Sequence, residues 1–197
     1  MDVAAMNRFF AVLAVAADLG VVVIVVGLVA GPRLPLLDEL VWWVRDRALA
    51  LAAVVATVCT LGSVYYSEVA HFVPCRLCWF QRIAMYPLVV ILGVAAVRRD
   101  EGARLPAAIL AGGGLGVSVW HWIVQQWPTL ESDSCSALVR CSIPYVKEWG
   151  LITIPWMAGS GFALILAVLA TTRVLNESPS PDPGSAGSVP PEEALVP

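Results

Sequence analysis

The stretch Pro74-Cys75-Arg76-Leu77-Cys78-Trp79-Phe80-Gln81-Arg82 places two cysteines three residues apart, directly before the apolar run from Ile83 to Val97. That run alone is too short for a bilayer, which takes about 20 mostly apolar residues in a helix. It reaches spanning length only if Trp79 to Arg82 form its first turn. The sequence therefore predicts a membrane helix with both thiols at its N-terminus, where residues i and i+3 share one turn and can close a disulfide.

The composition is that of an integral membrane protein. Of the 197 residues, 59% are hydrophobic and 14% are charged, whereas a soluble domain carries about 25% charged residues. The formal net charge of -3 and the lack of a basic patch with interleaved aromatic residues argue against nucleic acid as a partner.

Five runs predict an all-α protein with five membrane helices, at about residues 9–30, 48–67, 79–97, 105–127 and 152–173. The first run is longer than the apolar part of a signal peptide, contains Asp18 and follows no strongly basic segment, so we interpret it as a retained span. Residues 176–197 are rich in Pro, Ser, Gly and Glu. Such a composition buries too little apolar surface to fold and predicts a disordered tail.

Lysine and arginine placement predicts the orientation. With the N-terminus outside and the C-terminus in the cytoplasm, the 12 basic residues divide seven inside to five outside, as the positive-inside rule favours. This orientation predicts a multi-pass protein of the cell membrane whose paired cysteines all lie on the extracytoplasmic side.

A second cysteine pair, Cys135 and Cys141, lies in the polar loop between the fourth and fifth runs. Paired cysteines indicate an oxidising compartment. Cys59 lies alone within an apolar run, and we expect it to pack as a small buried hydrophobe. Four thiols at membrane boundaries suggest electron transfer between thiols and a molecule dissolved in the lipid.

Two features around the first pair indicate chemistry. The N–H groups and dipole at a helix N-terminus stabilise an anion, so we expect a thiolate at Cys75 or Cys78. Arg82 follows Cys78 by four residues and shares its helical face, where it can stabilise that thiolate or donate to a carbonyl oxygen. An arginine at this depth can instead extend to lipid headgroups, but charges within membranes usually mark function.

These residues resemble the signature of the DsbB/BdbC family of membrane thiol:quinone oxidoreductases. The resemblance covers about residues 48–173. Beyond the cysteine stretch it rests on four further segments: Ile83-Ala84-Met85-Tyr86-Pro87, Trp120-His121-Trp122 with Gln125 and Gln126, Cys135-x5-Cys141, and Thr153-Ile154-Pro155. The short gap between the loop cysteines resembles the BdbC branch more than the enterobacterial enzymes.

The resemblance implies a circuit of four cysteines. Cys75 and Cys78 would be the pair next to a membrane quinone, ubiquinone or menaquinone, with Cys78 as the thiolate beside the ring and Arg82 supporting quinone reduction. Cys135 would form a mixed disulfide with an extracytoplasmic thioredoxin-fold donor of the DsbA/BdbD type. Cys141 would then exchange with Cys75.

The resemblance also implies the architecture. Residues 48–175 would form a four-helix redox bundle, and residues 1–47 would add an N-terminal transmembrane helix and a cytoplasmic loop. The added span puts the N-terminus outside, where the family has it in the cytoplasm. Asp18 within that span is costly in lipid, so we expect it to face the bundle.

The sequence indicates the roles of two further features less firmly. His121 falls where the family has a residue near the quinone, so it either binds a quinone oxygen or bonds to the backbone of a neighbouring helix. Gly112 and Gly116 lie inside an apolar run without the context of a phosphate-binding loop. Their spacing predicts a close approach of two helices.

Three alternatives compete with this interpretation. Four thiolates suit a structural zinc ion, but the gap between Cys135 and Cys141 is wider than zinc pairs usually show, and we predict no metal. Two inert disulfides in a transporter-like bundle would resist reduction, unlike exchange-competent ones. A relative of vitamin K epoxide reductase would carry its CxxC pair after the loop cysteines, whereas here it comes before them.

Overall fold

The computed structural model describes residues 2–30, 34–131 and 140–172. The helices in these ranges are α1 (Val3–Ala30), α2 (Pro35–Asp46), α3 (Ala48–Val64), α4 (Arg76–Arg98), α5 (Arg104–Gln126) and α6 (Ile154–Ala170). A π-helical turn, Tyr65–Val69, extends α3. The described ranges contain no strand beyond an isolated bridge between Glu148 and Ile152. The predicted tail, 176–197, lies outside them.

The helix lengths fit a membrane bundle. Among the described residues, four helices are long and apolar enough to cross a bilayer: α1, α3 with its extension, α4, and α5 with the 3-10 turn Glu101–Ala103 before it. The fifth predicted span, α6, has 17 residues, at the short end of spanning length. The predicted all-α membrane architecture is confirmed.

Helices α3 to α6 form a closed ring in which each helix packs on the next and α6 returns to α3. Leu88 and Leu92 of α4, with Phe162 and Ile165 of α6, are fully buried at its centre. Helix α1 lies outside the ring and packs mainly on α6. The result is a four-helix bundle with one additional N-terminal helix, as the sequence predicted.

An intramembrane hydrogen bond joins α1 to the ring. Asp18 Oδ2 accepts from the indole Nε1 of Trp156 on α6 at 3.0 Å. Asp18 therefore faces the bundle, as expected for a carboxylate that lipid cannot solvate.

Helix α2 occupies a segment that the sequence predicted as loop. Pro35 stands at its start, where a missing N–H costs nothing. Asp38 in the first turn and Arg45 in the last complement the helix dipole. With 12 residues and acidic side chains, α2 is too short and too polar to be a span, so it lies within the predicted connection between two membrane helices.

The close approach of α5 lies at a different glycine from the predicted pair. A Cβ atom added to Gly112 or Gly116 would meet nothing within 4 Å, whereas one added to Gly114 would overlap the ring of Phe162. The spacing of small residues was right about proximity between helices but wrong about the face. Gly114 lets α6 bring Phe162 against the α5 backbone.

Candidate active site around Cys75 and Cys78

Helix α4 begins at the first cysteine pair. Cys75 is the N-cap residue with extended backbone angles, and its carbonyl accepts from the N–H of Trp79 at 3.1 Å. Cys78 therefore lies in the first turn. The predicted position of both thiols at a helix N-terminus is confirmed.

The two sulfur atoms lie within reach of each other. Cys75 Sγ donates to Cys78 Sγ at 3.3 Å, and a disulfide needs about 2.05 Å. Small side-chain rotations would close that gap. The hydrogen bond to Cys78, together with burial, raises the pKa of Cys75 to about 12. Its surroundings therefore disfavour the thiolate form of Cys75.

His121 of α5 lies beside this pair and is buried. Its Nε2 is 3.7 Å from Cys75 Sγ and 3.2 Å from the carbonyl oxygen of Cys141. Of the two roles predicted for His121, the structure shows a backbone contact, although its partner is a loop carbonyl and not a neighbouring helix. The ligand atoms of Cys75, Cys78 and His121 all lie within 4.8 Å of one another, so these three could hold a metal ion.

Cys141 is brought to the first pair by the packing of its loop. It is 1% exposed and forms a small cluster with Cys75 and Val124, against which Cys78 and Leu77 also pack. The resemblance implied exchange between Cys141 and Cys75, and the packing of these two residues brings the two cysteine motifs together as that exchange requires. Cys135, its predicted loop partner, lies outside the described residues, so its place relative to Cys141 stays a prediction.

Glu131 holds the backbone at Cys141, a role that the sequence analysis missed. One carboxylate oxygen accepts from the N–H of Cys141 at 2.6 Å, and the other accepts from the Ser142 hydroxyl at 2.6 Å. Burial opposes ionisation of Glu131, but the hydrogen bonds from Ser142 and Cys141 outweigh it and lower its pKa. Nothing in the sequence distinguishes Glu131 from Asp133, because the contact depends on how the loop folds.

Arg82 points into the bundle. Its guanidinium donates to the carbonyl oxygen of Ser63 at 3.1 Å and to the hydroxyl of Ser67. It also lies over the ring of Trp79, 5.3 Å from the centroid. These contacts hold the guanidinium against α3 and Trp79, and the role of Arg82 in quinone reduction stays a prediction.

Cys78 and Arg82 line a cavity of about 400 Å³ between α1, α3, α4 and α6. Its walls are mostly apolar, and Gln81 and Tyr86 of α4 add polar atoms to the same wall. Cys59 also lines it while packing against the core, consistent with the small hydrophobe predicted there. His121 is not among the lining residues, so the structure separates two predicted quinone residues: Arg82 in the cavity and His121 behind the sulfur pair.

The cavity fits the quinone that the resemblance implies. Small-molecule sites commonly measure about 300–1,000 Å³ and combine apolar walls with a few polar groups. Here the apolar walls suit an isoprenoid chain, and Arg82 offers charged N–H donors for a carbonyl oxygen. A cysteine sulfur lines the same space.

Comparison with known proteins shows the family. The family described as "Disulfide bond formation protein DsbB" matches residues 45–178. The disulfide bond formation protein C of Bacillus subtilis is 44% identical over 135 residues, which are 66% of this chain and 96% of that protein. A probable disulfide formation protein of Oceanobacillus iheyensis is 44% identical over 125 residues, 62% of this chain and 86% of that protein.

A probable disulfide formation protein of Deinococcus radiodurans is likewise 44% identical, over 140 residues that are 66% of this chain and 90% of that protein. No solved structure gives a significant match. The family match covers more than half of the chain and includes the CxxC helix, His121 and the loop with Cys141. The chain therefore belongs to the DsbB family of disulfide bond formation proteins.

Proposed function

We propose that this protein is a protein-dithiol:quinone oxidoreductase of the cell membrane, which reoxidises an extracytoplasmic thioredoxin-fold disulfide donor. One observation carries the proposal. Cys78 opens onto the apolar cavity that also contains Arg82, while Cys75 packs against the buried Cys141. The Cys75–Cys78 pair thus lies between the loop cysteine Cys141 and the apolar cavity.

Electrons would enter through the loop. A thiolate of the reduced donor attacks the Cys135–Cys141 disulfide at Cys135, which forms the mixed disulfide and releases Cys141 as a thiolate. The donor's second thiolate then attacks the mixed disulfide, which releases the oxidised donor and leaves Cys135 and Cys141 reduced. Two electrons have moved from the donor to the loop pair.

The electrons then move to the first pair. Cys141 attacks Cys75 of an oxidised Cys75–Cys78 disulfide and releases Cys78 as a thiolate. Cys135 resolves the Cys75–Cys141 bond, so the loop disulfide re-forms and Cys75 leaves as a thiolate that takes up a proton. His121, 3.7 Å from Cys75 Sγ and 3.2 Å from the Cys141 carbonyl, holds these two cysteines in register.

Arg82 and Cys78 would interact with the electron acceptor, a quinone. A quinone bound in the cavity supplies a two-electron, two-proton sink, which no side chain can provide. Arg82 would orient it by donating to a carbonyl oxygen, and the apolar walls would exclude water from the sulfur. The dithiol returns to the disulfide as the acceptor becomes quinol. Either ubiquinone or menaquinone meets this chemistry.

Anaerobic mixing of the purified protein, a reduced thioredoxin-fold partner and quinone tests the proposal, with quinol formation followed by absorbance. We expect Cys78→Ser to abolish quinone reduction. Cys135→Ala should block oxidation of the partner yet leave Cys75–Cys78 oxidisable by quinone. If Cys78→Ser turns over normally, or Cys135→Ala still oxidises the partner, this assignment of roles is wrong.

The cluster of Cys75, Cys78 and His121 supports one competing proposal, a zinc site with two thiolates and one imidazole. Metal analysis of the purified protein separates the two. Stoichiometric zinc that blocks thiol titration would favour the metal site. Titratable thiols that quinone oxidises would favour the oxidoreductase.

A further inference from the structure

The helix that the family match leaves out forms a wall of the acceptor cavity. The family match begins at residue 45, after α1 and in the last turn of α2. The separate alignment with the Bacillus subtilis protein covers 96% of that protein, and the remaining 4% is too short for a 28-residue helix. Yet Phe10, Leu13, Ala14 and Ala17 of α1 line the same cavity as Cys78 and Arg82. An element outside the family core thus borders the space where the family chemistry would occur.

Contacts at several positions along α1 hold it beside the cavity. Ala11 and Ala14 are buried in a cluster with Ile152. One turn further along, Asp18 accepts its hydrogen bond from Trp156. These contacts fix α1 against α6 and the loop that leads into it.

The side chain of Phe10 on α1 packs against α3. A Cβ atom added to Gly62 would lie 2.9 Å from the Phe10 ring, so a larger residue at position 62 would require that ring to move. The same ring lies 5.6 Å from the ring of Tyr66. With this aromatic contact and the α6 contacts in place, residues of α1 line the cavity together with residues of α3, α4 and α6.

The chemistry of the two walls differs. Cys78 and Arg82 offer a sulfur and a cationic donor, which suit the polar ring of a quinone. The α1 wall consists of Leu, Ala and Phe side chains, which can contact only an apolar group. A ring against α4 would direct its chain towards α1.

We propose that α1 is part of the acceptor site and that Leu13 and Ala17 bind the isoprenoid tail of the quinone. The inference rests on the proposed function and adds a tail-binding wall to it. A four-span relative would leave this side of the cavity to lipid. Here a protein surface takes that place and can select for the tail.

Photoaffinity labelling tests the contact directly. A quinone that carries an azide on its tail is irradiated with the full-length protein, and the labelled tryptic peptides are identified by mass spectrometry. Cleavage after Arg8 and Arg33 isolates α1 in the peptide 9–33. We expect label in this peptide, displaced by unlabelled tailed quinone. Displacement by phospholipid to the same extent, or label only in other helices, would overturn the inference.

Two matched leucines provide the second test. Leu13 lines the cavity, whereas Leu19 on the same helix does not and is 62% exposed. Leu13→Trp should raise the Kd for tailed quinone at least fivefold, with a smaller effect on a tail-free benzoquinone. Leu19→Trp should leave both unchanged. Ala17→Phe, a second cavity-filling variant, should repeat the Leu13 result.

The outcomes separate this inference from the proposed function. Equal Kd values for Leu13→Trp, Ala17→Phe and Leu19→Trp, in a protein that still reduces quinone, would refute the α1 wall and leave the oxidoreductase standing. A wild-type protein that reduces no quinone would refute both.

Discussion

At the scale of single residues, Cys75 and Cys78 have different surroundings although they share one helical turn. Cys75 is buried against His121 and Cys141, and Cys78 borders the cavity. The position of the pair could be predicted because apolar length and cysteine spacing are local properties. Local spacing could not place Cys141 against Cys75, because that contact depends on a loop more than 60 residues later in the chain, and only the family resemblance implied it.

The proposed role of Arg82 can be tested with a single substitution. We expect Arg82→Ala to raise the apparent KM for quinone about tenfold or more, because hydrogen bonds to charged groups contribute about 1.5–3 kcal/mol. Arg98→Ala, at the exposed opposite end of α4, serves as the control. Steady-state kinetics over a quinone series measure both. Unchanged quinone kinetics in Arg82→Ala would leave Arg82 a structural role towards Ser63 and Ser67 only.

Because the carboxylate of Glu131 is hydrogen-bonded in the folded protein, we expect the stability of the protein to depend on pH. Its pKa is lowered in the folded protein, so its contribution is present above the unfolded value of about 4.3 and is lost as the pH falls through the lower folded value. Glu131→Gln should lower stability by about 1 kcal/mol at pH 7, since the carboxylate is partly exposed and screened. Thermal unfolding of both proteins from pH 7 to pH 3 measures the difference.

The difference in Tm between wild type and Glu131→Gln should shrink towards zero at the acid end of that series. A gap that stays constant with pH would show that the carboxylate charge does not hold the loop. Ser142→Ala provides a control, because it removes one hydrogen bond from Glu131 and keeps the charge.

At the scale of secondary-structure elements, the length of apolar runs identified the spanning helices. It did not reveal which surfaces of those helices face one another. Helix α2 is too short and too charged to register as a span. The glycines of α5 indicated a close approach but not the correct face, because Gly112 and Gly116 lie on one side of the helix and Gly114 lies on the opposite side. Only the packed partner, Phe162, distinguishes them.

Gly114 and Gly112 of α5 form a matched pair of positions that tests how α5 packs on α6. Gly114→Ala should destabilise the bundle by about 1–3 kcal/mol, because its methyl group would overlap the buried Phe162 ring. Gly112→Ala meets nothing within 4 Å and should leave stability unchanged or raise it by up to about 1 kcal/mol, since alanine favours a helix interior. Thermal unfolding in detergent measures both, and equal shifts would contradict the packing of α5 on α6.

At the scale of the whole molecule, the start of α1 and the cysteine pair lie at the same end of the bundle. Phe10 contacts Tyr66, whose ring stacks on Phe72, three residues before Cys75. Charge counting predicted the same relative arrangement, and it further predicted that this end faces outside. The compartment itself depends on insertion, which helix packing does not encode.

Epitope tags test that orientation. A tag at the N-terminus should be accessible to antibody in intact cells stripped of their wall, and a tag inserted beside the exposed Asp100 should be accessible only after permeabilisation. The positive-inside rule gives this result, because Arg98, Arg99 and Arg104 surround Asp100. Detection of the Asp100 tag in intact cells would place the cysteines in the reducing compartment and remove the basis for the proposed activity.

The bond between Asp18 and Trp156 links parts of the chain that are 138 residues apart. During synthesis, Asp18 enters the bilayer long before the ribosome has made Trp156. A nascent chain, or one truncated before α6, therefore holds Asp18 without this partner, and an unpaired carboxylate is costly in lipid. The last helix thus completes the solvation of the first.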